Sequence, residues 1–185
     1  MRYRFNFDIK NQLEYDGLKQ NNTQGSKHMA NCNINIEQYP GNEITDICSN
    51  DYHNSTLNHC AHFVSHIPGF RFGYKCYHQT GKGEISNSAN IRVQEVFSKC
   101  PEVGKWTDKP SSLLFCMAFV TAAKNVDLKK KKMRNMDRKH VGVFHKGMIY
   151  HYSNSRDKVV KQSPTAFSRH YSGTSITVYY GTMPR

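Results

Sequence analysis

Two runs hold six of the ten histidines and one cysteine: Asn58-His-Cys-Ala-His-Phe-Val-Ser-His66 and His140-Val-Gly-Val-Phe-His-Lys-Gly-Met-Ile-Tyr-His-Tyr-Ser153. A cysteine becomes a nucleophile when a helix N-terminus and a nearby imidazole lower its pKa and a base lies within hydrogen-bond reach. Cys60 stands where a helix would begin, and His140, far along the chain, is the candidate base. His62 and His66 are spaced four apart and could bind one ion from a shared helix face. The Glu of a zinc-peptidase helix is missing and the spacing supplies no third ligand, so they read as surface histidines on the polar side of that helix. Neither a metal nor a cofactor is called for.

The elements that must position these groups are legible nearby. Cys60, Phe63, Val64 and Ile67 mark one helical face between Leu57 and Ile67, and Pro68-Gly69 ends it, so a helix is expected from near Asn58. The second run is two β-prone stretches around Lys146-Gly147, a hairpin signature. Pairing Phe144 with Ile149 puts Gly142 opposite His151 and His140 opposite Ser153. His140 and His151 then share one face across a small Gly, while Val141, Val143, Tyr150 and Tyr152 share the other. Tyr150 and Tyr152 therefore read as packing residues, and Asn154 falls away from His140 unless the strand bulges.

Elsewhere the patterns are plainer. Residues 1–55 are rich in Asn, Gln and Gly, with short apolar patterns at Ile34 and Ile36, and are read as an N-terminal extension that belongs to the same domain as 56–185. Asn90 to Phe97 fits a strand or a short helix, Leu113 to Val120 a buried strand, Ser175 to Tyr180 an alternating strand, and Pro164 to Tyr171 a short helix with Pro in its first turn. Lys129 to Lys139, which opens with four lysines, breaks the apolar patterns on either side and reads as an exposed loop.

The words Asn58-His-Cys-Ala-His-Phe-Val, then His140-Val-Gly-Val-Phe, a Gly turn and Met148-Ile-Tyr-His-Tyr152 resemble the NlpC-type and CHAP branches of the papain-like cysteine hydrolases. Those families carry a Cys opening a helix, a His beginning a sheet strand and a third polar residue on the next strand. The resemblance covers about half of the chain. It implies an α+β fold with the catalytic helix packed on a central antiparallel sheet, Cys60 as nucleophile, His140 as base and His151 as the residue that orients it. It further implies cleavage of amide bonds in peptidoglycan peptides, with the oxyanion held by the Cys60 backbone N–H. One departure stands out: His59 occupies the place before the Cys where many relatives have an acidic residue.

Charge and composition narrow the partners. The chain has 185 residues, 37% of them hydrophobic, and a formal charge of +12, which suits a packed core and an anionic partner such as a cell-wall polymer. No nucleic-acid module accompanies the charge, so nucleic acid is not the expected partner. No stretch approaches the roughly 18 to 20 apolar residues of a membrane span, so no membrane insertion is expected, and the polar start lacks the apolar centre of a signal peptide. A soluble protein made in the cytoplasm is expected, with delivery to a periplasm or cell wall by a secretion apparatus and, for an antibacterial effector, a cognate immunity protein. The six cysteines, Cys32, Cys48, Cys60, Cys76, Cys100 and Cys116, are read as thiols, Cys116 as a small buried hydrophobe. Two other readings stay open: a protease, deamidase or acyltransferase acting on a protein, and a non-catalytic basic polymer- or nucleic-acid-binding protein.

Overall fold

Eight strands supply most of the regular secondary structure in the computed structural model, which describes residues 35–49, 54–72, 76, 91–173 and 175–184. These fall within the unit Ile34–Arg185. The strands are β1 (Val103–Lys105), β2 (Phe115–Ala122), β3 (Val126–Asp127), β4 (Lys132–Met133), β5 (Lys139–His145), β6 (Met148–Ser153), β7 (Lys158–Gln162) and β8 (Ile176–Gly181). Six of them form one sheet in the order β1-β8-β2-β5-β6-β7, with every pairing antiparallel. The helices are short: α1 (Ile44–Ile47), α2 (Cys60–His66), α3 (Val93–Lys99) and α4 (Pro164–Ser168). The fold is α+β.

Strand alternation gives the sheet two buried faces. Met117, Phe119, Val141, Val143, Tyr150, Tyr152, Val159 and Tyr179 form one core with Phe63 and Val64 of α2 and with Val93, Val96 and Phe97 of α3. Cys116, Ala118, Val120, Phe144 and Ile149 form a second core on the other face, closed by Phe167 of α4. A strand buried on both faces reads as a continuous apolar run, which is why Leu113 to Val120 lacks alternation. The segment ambiguous between strand and helix is a helix, because Val93, Val96 and Phe97 put their side chains on one helical stripe.

Other expectations meet the structure with adjustments. Ser163 caps α4 by accepting from the Ala166 N–H at 3.2 Å, ahead of Pro164 at the first turn. The lysine-rich stretch is not wholly a loop: β3 and β4 pair as a small ribbon, with Lys129 to Lys132 exposed around its turn and Met133 buried beneath. Of the N-terminal extension expected at 1–55, residues 1–34 lie outside the described residues, including Ile34 and Cys32. Its later part enters the core through Ile36 and Ile44. Among the described residues, no helix is long and apolar enough to cross a membrane.

Candidate active site

The hairpin builds the histidine pair. Lys146 and Gly147 both have positive φ, 46° and 89°, the twist a two-residue turn needs to match its strands. Phe144 pairs with Ile149, as the turn dictates, but the ladder runs only from His145↔Met148 to Val143↔Tyr150. Beyond it β5 and β6 pass at Gly142, where a Cβ would lie 2.8 Å from the Tyr150 carbonyl oxygen and 2.9 Å from the His151 Cβ. The missing side chain lets the two imidazoles meet. His140 Nε2 is 2.8 Å from His151 Nδ1, with the rings nearly perpendicular at 86°.

The far side of His151 sets the tautomers of both rings. Its Nε2 lies 2.9 Å from Gln162 Oε1, and an amide oxygen can only accept. The His151 proton therefore sits on Nε2, its Nδ1 accepts from His140 Nε2–H, and His140 Nδ1 carries the lone pair. Burial holds His140 well below its ordinary 6.5, helped by His151 and His170, and burial also lowers His151 to about 4 against the opposing Gln162 bond. Both rings are neutral at physiological pH. His140 is thus an oriented, neutral imidazole.

His170, which follows α4, stacks on His140 at 3.9 Å between centroids and 22° between planes. The ligand-type nitrogens of His140, His151 and His170 lie within 4.8 Å of one another. Two of the rings share a direct hydrogen bond and two stack face to face.

Cys60 opens α2 and is buried, lining a pocket of about 120 Å³ with Asn58, Arg92, Gln94 and Lys139. The amides of Val141, Ala61 and Cys60 itself favour its thiolate, but burial outweighs them and pushes the thiol up to about 11. The Cys60 N–H, expected to face an oxyanion, donates to Asn58 Oδ1 at 3.2 Å. A carbonyl-type oxygen therefore occupies the place that an oxyanion would take.

The structure brings His140 and His151 together but does not join either to Cys60 by a hydrogen bond. The reason is strand parity. Cys60 packs with Val141 and Val143 on one face of the sheet, while His140 is paired with Val120 and lies against Phe167 on the other. The two groups approach at the end of β5, where the Val141 amide, one residue from His140, favours the Cys60 thiolate. Tyr171 closes the same corner, packed edge-on against His170 at 4.7 Å, with burial pushing its hydroxyl pKa up. Asn154 makes no hydrogen bond to the histidine pair. It steadies the approach to α2, donating to the Leu57 carbonyl at 3.2 Å and accepting from the His59 N–H at 3.4 Å.

His62 and His66 are not surface histidines. Both are buried, and Cys48 and Cys76 lie beside them. Gln162, His170 and Tyr171 also had no local signal, since each is defined by a partner on another strand or helix. For Cys48 and Cys76 a signal existed: one cysteine on each side of the His-x-x-x-His pair. No disulfide joins the five described cysteines.

No family model, curated protein or solved structure matches the chain.

Proposed function

We propose that the chain is a papain-like cysteine hydrolase of NlpC or CHAP type, with Cys60 as nucleophile, His140 as base and His151 as the residue that orients the base. The observation that carries this reading is the chain from Gln162 through His151 to His140, which leaves one neutral imidazole with its lone pair on Nδ1. The helix bearing Cys60 packs on the same two strands that carry the histidines, and Cys60 opens into a pocket.

With a thiol pushed up to about 11 and a neutral imidazole, the resting pair is uncharged. Attack on a substrate carbonyl then transfers the thiol proton to His140 Nδ1, and the Cys60 N–H turns from Asn58 to the oxyanion. His140 returns the proton to the leaving amine. Water, deprotonated by His140, releases the acyl group and restores the thiol. The step requires the Cys60 thiol and the His140 ring to come within hydrogen-bond reach at the end of β5, where the ladder to β6 has already stopped.

For substrate, the reading is an amide bond in peptidoglycan peptides. Arg92 and Lys139 in the pocket suit a peptide with free carboxylates, and the basic surface suits an anionic wall. An antibacterial effector delivered to a target cell, with an immunity protein as partner, fits the same chemistry. Purified sacculi treated with the protein and analysed by mass spectrometry should yield new soluble muropeptides, and Cys60→Ala should yield none. Identical products from both proteins would end this assignment. The rival reading is a non-catalytic basic binding module, favoured by the sheet lying between Cys60 and His140, and steep salt-dependent attachment to sacculi without product is its signature.

A further inference from the structure

We propose that Cys48, His62, His66 and Cys76 form a closed, tetrahedral zinc site that fixes α2 to the segments on either side of it. The four side chains are buried and their ligand atoms lie within 4.8 Å of one another. Cys48 Sγ is 3.7 Å from Cys76 Sγ, and Cys76 Sγ is 3.0 Å from His62 Nε2 and 3.5 Å from His66 Nε2. Zinc bonded at about 2.3 Å to sulfur and about 2.05 Å to nitrogen would set tetrahedral edges of about 3.8 Å between sulfurs and about 3.6 Å from sulfur to nitrogen. A disulfide, at about 2.05 Å, is far shorter than the observed sulfur separation.

A second observation comes from the other nitrogen of His62. His62 Nδ1 lies 3.3 Å from His59 Nδ1, and His59 Nε2 lies 2.8 Å from the Asn54 carbonyl oxygen. The carbonyl accepts, so the His59 proton sits on Nε2 and its Nδ1 accepts from His62 Nδ1–H. That leaves the His62 lone pair on Nε2, the atom turned toward Cys76. A ligating histidine held by a hydrogen bond on its other nitrogen is the usual outer arrangement of a metal site.

Ligand chemistry selects the ion. Two thiolates with two imidazoles in a tetrahedron suit zinc over magnesium, calcium or manganese, and four protein ligands leave no open position for catalysis. The role is therefore structural. A seven-residue helix has little stability of its own. Tying His62 and His66 to Cys48 beyond α1 and to Cys76 beyond Phe72 would fix the helix that presents Cys60. This site does not depend on the hydrolase reading.

The full-length chain, purified under reducing conditions, should carry about one zinc per chain by elemental mass spectrometry. Cobalt exchanged into it should show intense tetrahedral visible bands and a thiolate charge-transfer band. Cys76→Ser should lose the charge-transfer intensity of one thiolate, Cys116→Ser should keep the whole spectrum, and His59→Ala should weaken zinc affinity roughly 10- to 100-fold while retaining the bands. Because Cys76→Ser could fail to fold, the wild-type titration decides alone. A reduced, folded wild-type chain that takes up no stoichiometric zinc or cobalt, or that holds a Cys48–Cys76 disulfide at full stability, overturns the proposal.

Discussion

His140 and His151 form a directed pair: Nε2 of the first donates to Nδ1 of the second across 2.8 Å, because His151 has committed its own Nε2 proton to Gln162. The direction matters more than the distance, since it decides which nitrogen of His140 can accept a proton.

Removing His151 leaves His140 free to take the wrong tautomer or orientation. His151→Ala is expected to lower turnover roughly ten- to a thousandfold, and His140→Ala to lower it further. Gln162→Leu should reproduce part of the His151 effect, because it removes the acceptor that sets the tautomer. Asn154→Ala should act through stability, since Asn154 bonds Leu57 and His59 rather than the histidines. Steady-state kinetics beside urea unfolding separates the two kinds of loss, and a larger kinetic loss in Asn154→Ala than in His151→Ala would redraw the triad.

The lowered His151 pKa makes stability pH-dependent in a definite direction. Above pH 6.5 the ring is neutral in both folded and unfolded chains and its stabilisation is complete. As pH falls from 6.5 toward about 4, the unfolded chain binds a proton that the native ring resists, owing to burial and to the His170 and Arg156 charges. The loss over that window is on the order of 3 kcal/mol from this group, and His140 adds to it in the same direction. Urea midpoints at pH 7.5 and 4.5 should fall steeply for the wild type and less for His151→Gln. A wild-type midpoint that does not move would contradict the burial argument.

Gly142→Ala tests the crossing of β5 and β6. A Cβ there would meet the Tyr150 carbonyl, which cannot move without disturbing β6, and the His151 Cβ. A loss of about 1–3 kcal/mol is expected, together with a turnover loss larger than stability explains, because His151 is pushed off His140. Equal stability and equal turnover would mean that the strands pass each other more loosely than this.

The basic ribbon makes a separate prediction. Replacing exposed Lys129 to Lys132 with neutral residues should weaken attachment to an anionic polymer, more at low salt than at high, and leave turnover of a small soluble substrate unchanged. Co-sedimentation with sacculi across a salt series reads the first effect. A collapse of turnover would place the ribbon at the active site.

Local information carried much of the fold into the sequence. Lys146-Gly147 set the hairpin turn, Phe144 and Ile149 followed as partners, and the two-residue period then placed His140 beside His151. The apolar stripe of Cys60, Phe63, Val64 and Ile67 likewise marked α2. Layering was not local. Nothing in the run around Cys60 says which face of the sheet α2 covers, so the sheet lying between Cys60 and His140 was illegible. His62 and His66 read as surface residues because the side chains that enclose them, Cys48 and Cys76, come from segments 14 and 10 residues away in sequence. A polar side chain is legible as buried only when its partner is known.

In the proposed mechanism Cys60 and His140 act on one bond although they lie on opposite faces of the sheet. The most direct measurement is muropeptide release from sacculi by wild type, Cys60→Ala, His140→Ala and the double variant, each shown to be folded. Groups acting as one unit are strongly non-additive, so each single variant should be nearly as inactive as the double. If Cys60→Ala is inactive while His140→Ala keeps close to the wild-type rate, His140 is not the base and the account is wrong.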